Sequence, residues 1–131
     1  DMLGSPMSFF DVLCLLKALP ALVNLRGRII CFGSELEGIP DNELPDHIAS
    51  AYSGVGSNLQ AWLVHRLDRR YISATIEFML LLALVCPKLW RIQLQRGFLQ
   101  DVVSKFAHVL NSPPYCKYVS ELKWVVNSLC E

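Results

Sequence analysis

Residues 57–86 read SNLQAWLVHRLDRRYISATIEFMLLLALVC. The second half, Ile72–Cys86, is apolar on nearly every side of a helical projection, with Glu77 as its only charge. A surface helix keeps a polar face, whereas one that is greasy all round belongs at the centre of a helical body. In the first half, Asn58–Tyr71, residues Leu63, Val64, Leu67 and Tyr71 fall on one helical stripe, and Ser57 or Asn58 supplies a cap. Read this way, the stretch holds two consecutive helices, and an all-α fold is expected.

Working outward, Pro87 closes the central helix. A helix over Lys88–Leu110 carries the stripe Ile92, Leu99, Val102, Val103, Phe106, Val109 and Leu110, and Asn111-Ser112-Pro113-Pro114 breaks it. A last helix from about Pro114 carries Tyr118, Val119, Leu122, Val125, Val126 and Leu129. Upstream, Ser8-Phe9-Phe10-Asp11 reads as a helix start, a hydroxyl cap followed three residues later by an acid. Pro20 is expected to kink that helix and Gly27 to stop it. Arg28–Phe32 has extended character, but a lone strand finds no partner in a helical chain, so a loop is expected. Residues 33–57 are acidic and rich in Gly and Pro, with a short helix from about Pro45 to Ser53. Gly54-Val55-Gly56 lacks the rest of a dinucleotide fingerprint and reads as a turn.

Five or six helices joined by short turns imply an antiparallel bundle, or a short stack of helical hairpins comparable to HEAT-like arrays. No internal repeat is visible. The expected organisation is one helical domain over residues 8–131, a piece of a longer protein, preceded by residues 1–7 as flexible or added sequence.

The 131 residues are 53% apolar and 18% charged, richer in core formers than an average soluble domain. The chain can therefore offset its conformational entropy by burial. A membrane partner is not expected: the apolar run Phe78–Pro87 spans 10 residues before Lys88, about half of what a crossing needs. The start lacks the basic residues of a signal peptide. Five cysteines (Cys14, Cys31, Cys86, Cys116, Cys130) without a C-x-x-C read as reduced, buried thiols of a cytoplasmic or nuclear protein. Net charge is zero, but residues 1–50 hold seven acids against three bases and residues 51–131 five acids against nine bases.

Chemistry is poorly supported. His47, His65 and His108 have no neighbours at ligand spacing, so no metal or cofactor is expected. His65 with Asp68 is better read as a helical surface pair, and Cys86 as a core thiol rather than a nucleophile. No enzyme is expected. The alternative of a helical nucleic-acid-binding domain rests on the basic belt Arg66, Arg69, Arg70, Lys88, Arg91 and Arg96, but such domains are usually clearly basic.

On helical wheels, Trp62, Trp90 and Trp124 all fall away from the main apolar stripes. Exposed indoles beside arginines resemble interface anchors, so Trp62, Arg66, Arg69, Trp90 and Trp124 are expected to bind a partner. The expected function is a scaffold or adaptor domain that binds another protein or a second copy of itself.

Overall fold

Ser8 does what its sequence context demands. Its hydroxyl accepts from the Asp11 amide at 3.0 Å and its own amide donates to the Asp11 carboxylate at 3.3 Å, closing a capping box at the head of helix α1 (Phe9–Ala18). The structure, a computed structural model, describes residues 7–64 and 67–131. Helix α1 buries Phe9, Val12, Leu13 and Leu16 and ends before Pro20, so no kink arises. Residue 7, expected in the leading tail, is buried in strand β1 (Met7–Ser8).

The all-α expectation is overturned, and with it both the bundle and the hairpin array. After α1 the chain forms β2 (Asn24–Gly27), β3 (Ile29–Cys31), α2 (Ser34–Glu37), α3 (Leu44–Ala51) and β4 (Ala61–Val64). It continues through α4 (Ile72–Val85), β5 (Arg91–Gln93), α5 (Leu99–Leu110), α6 (Val119–Leu122) and β6 (Leu129–Cys130). Strands β1 and β3 form a small parallel pair, while β2, β4, β5 and β6 form a four-stranded parallel sheet in that order. The protein is mixed α/β.

The four misread segments share one cause. Asn58–Tyr71 and Lys88–Leu110 each hide a short strand, and the region after Pro114 is mostly 3-10 turns, a single turn of α6 and then β6. Arg28–Phe32, expected as a loop, supplies β3, whose partner is β1. Parallel strands pair across a crossover rather than through a tight turn, so their partners lie far along the chain. Successive sheet strands here pair residues about 30 to 37 positions apart, as Leu25 with Trp62, Trp62 with Ile92, and Ile92 with Leu129.

Helix α4 is the centre that its composition demands. Ile72, Ile76, Phe78, Met79 and Leu80 to Leu82 are all buried, with α3 and α5 packed against it. The Phe78 ring stacks on Phe9 at 5.9 Å and meets Phe32 edge-on at 4.9 Å. Its one charge, Glu77, is half-buried and accepts from the Tyr115 hydroxyl at 3.2 Å. At the carboxyl end of α4, the Gly56 amide donates to the Val85 carbonyl at 3.2 Å. A Cβ at Gly56 would collide with the Cys86 sulfur, which accounts for glycine at this end of the turn.

Candidate functional site: the bare face of the sheet

A strand projects alternate side chains to opposite faces. In the row Leu25–Trp62–Ile92–Leu129, the first three side chains are fully enclosed and the last is half-buried. They belong to the same core as Phe9, Met79, Leu110 and Leu122, so this face lies under the helices. The flanking rows, Asn24–Ala61–Arg91 and Arg26–Leu63–Gln93–Cys130, are exposed or half-buried. All-parallel sheets are nearly always covered on both faces, because their crossover helices go to both sides. Here, among the described residues, one face carries no helix.

The bare face forms a groove of about 290 Å³ lined by Asn24, Arg26, Ala61, Leu63, Arg91 and Gln93. The Arg91 guanidinium donates to the Gln93 side-chain oxygen at 2.9 Å, which orients it along its own strand. Arg26 stands two strands away, roughly 10 Å across the sheet at the usual strand spacing. No ion pair holds either arginine among the described residues, and no acid lines the groove. The face is therefore cationic and ringed by polar groups, with Ala61 and Leu63 as its apolar floor.

The residues expected to bind a partner do not converge. Trp62, expected to face outward, is 1% exposed. It sits on a strand rather than a helix, and its indole N–H donates to the Gly27 carbonyl at 3.0 Å. Burying it costs no arginine, since the strand turns its neighbours Ala61 and Leu63 the other way. Trp124 is half-buried against the core. Trp90 is exposed at 61% and precedes β5 at the amino-terminal edge of the sheet, its amide donating to the Gln60 carbonyl at 2.9 Å. Arg69 lies beyond the opposite, carboxyl-terminal end of β4, paired with Asp101 and lying over the Phe98 ring at 5.0 Å. Arg66 and His65 fall outside the described residues.

Arg26 escaped the sequence reading, and Arg91 entered it only as part of the basic belt. Their signal is the polar-apolar-polar triplet: Asn24-Leu25-Arg26 and Arg91-Ile92-Gln93 alternate as a half-buried strand should.

The belt itself is dispersed. Arg70 is held by Asp68 at 2.9 Å, and Arg69 by Asp101. Lys117 pairs with Asp46, where the acidic and basic halves of the chain meet. Both partners of Asp46, Lys117 first and then the Tyr118 hydroxyl, hold its carboxyl below the usual range.

The cysteines depart from expectation. All five are free, but only Cys86 is fully buried, and Cys14, Cys31 and Cys116 are exposed. Burial pushes the Cys86 thiol up to about 12, far from the thiolate that a nucleophile requires. Among the described residues no cluster of three His, Cys, Asp or Glu could hold a metal ion. No described helix is long and apolar enough to cross a membrane. Compared with family models, with curated proteins and with solved structures, the chain matches none.

Proposed function

We propose that this chain is a non-catalytic protein-interaction module whose partner lies on the bare face of the four-stranded sheet. One observation carries the reading: among the described residues an all-parallel sheet leaves a face without helices, and the groove on that face is lined by Arg26 and Arg91 and by no acid. Strands coiling in sequential order with helices on one side make a surface of regularly spaced side chains, which is how extended binding surfaces arise in stacked β–α units. The unpaired guanidinium groups favour a partner that presents carboxylates. Trp90, at the amino-terminal edge, is the exposed tryptophan of the expected set. Nucleic acid draws less support, because Arg69 and Arg70 of the belt already face Asp101 and Asp68.

The test is comparative capture. Proteins retained by the wild-type chain should be lost from an Arg26→Glu/Arg91→Glu variant of unchanged circular dichroism, and kept by Lys105→Glu on the helical side. Equal capture by all three proteins would sink the assignment.

A further inference from the structure

The run from Asn24 to Cys31 changes neighbours halfway. Up to Gly27 it pairs with β4, whose last paired residue is Val64. From Ile29 it pairs with β1 instead, and Met7 donates to the Arg28 carbonyl at 3.0 Å. Among the described residues the run pairs with β4 up to Gly27 and with β1 from Ile29, so its partner changes at Arg28. The change of partner falls at the carboxyl ends of β2 and β4.

A cleft of about 380 Å³ lies there, within the size range of small-molecule sites. Ile29, Ile30, Val64 and Leu67 give it apolar walls, and Ile30 and Tyr71 on its lining are 53% and 54% exposed. Its polar side chains are Arg28, Asp68, Arg70, Tyr71 and Thr75. Arg70 spends its charge on Asp68, to which its side chain donates at 2.9 and 3.3 Å and its amide at 2.9 Å. The Thr75 hydroxyl donates to the Tyr71 carbonyl at 2.9 Å, leaving its oxygen free to accept. That leaves Arg28. Its Nε is buried and, among the described residues, is the side-chain polar atom without a hydrogen-bond partner. Buried donors are almost always satisfied, and an orphan marks a place for a water or a ligand. The described groups of the cleft sum to one positive charge, since Arg70 and Asp68 cancel.

We propose that this cleft binds a small organic monoanion, a carboxylate carried on an apolar body, with Arg28 taking the carboxylate and Ile29, Ile30, Val64 and Leu67 taking the hydrocarbon. The site is separate from the bare sheet face and stands or falls without it.

Octanoate, titrated into isotope-labelled protein and followed by amide shifts, tests this. Saturable shifts should appear at Ile30, Leu67, Tyr71 and Thr75, while octylamine, with the same tail and the opposite charge, leaves them still. Arg28→Gln should weaken octanoate at least tenfold. Should that variant unfold, Ile30→Glu serves in its place, because the side chain is exposed and an acid at the cleft should repel the probe to a similar degree. Shifts confined to other regions, equal binding by a folded variant, or equal binding of octylamine overturn the proposal. Displacement of octanoate by equimolar inorganic phosphate overturns the requirement for an apolar body.

Discussion

Glu77 is the one charge on the central helix, and its environment makes stability depend on pH. Burial is the main influence and raises its carboxyl above the ordinary range, against a smaller opposing pull from the Tyr115 hydroxyl. The folded state therefore holds this proton more tightly than the unfolded chain does. The stability so conferred is fully present below the ordinary carboxyl value and is lost as pH climbs through the raised folded value. Glu77→Gln keeps an oxygen for Tyr115 and removes the ionisation. It should be more stable than the parent at neutral pH in urea denaturation, with the advantage vanishing as pH falls into the ordinary carboxyl range. An advantage independent of pH would show that ionisation is not the cause.

Trp62 tests the strand assignment at the same scale. Its indole fills the layer between sheet and helices and is tied to Gly27. Trp62→Ala should cost about 3–5 kcal/mol, the usual penalty for emptying a large aromatic site, in chemical denaturation. A loss below about 1 kcal/mol would belong to a surface indole and would contradict the enclosed placement.

Among the elements, α1 and α4 were readable because their cues are local. A capping box is a four-residue signal, and Ser8→Ala should lower stability by about 1 kcal/mol in the same assay, while Ser104→Ala in α5, away from any cap, should change it little. An apolar run as long as Ile72–Val85 says "buried" whatever surrounds it. Helix α3, with Pro45 in its first turn, was legible for the same reason. The strands were not. Segments of two to four residues are too short for a period of 2 to stand out from one of 3.6. Leu63 and Val64 sit side by side on a wheel, yet on β4 Val64 is buried and Leu63 faces the groove. Wheel placement then sent Trp62 outward, and the predicted anchor set inherited the error.

At the scale of the molecule, each crossover returns the chain beside its previous strand, and the pairings join residues distant in sequence. Such a core should open only globally. In hydrogen exchange, amides of α4 and β4 should be the slowest, and those around Gly54 and Gly97, in exposed turns, the fastest. Faster exchange in β4 than in α5 would mean that the sheet is not part of the cooperative unit.

Composition and local pattern alone determined that the chain has a large core, that Ile72–Val85 is its axis, that Ser8 starts a helix, and that no motif announces catalysis. Each of these follows from residues within one or two turns of each other. Tertiary structure alone decided that the chain is α/β, that Trp62 is inside while Trp90 is outside, and that Arg26 and Arg91 share a face. Those outcomes depend on which strand lies beside which, and parallel pairing is settled by packing between segments some thirty or more residues apart, where no local preference reaches.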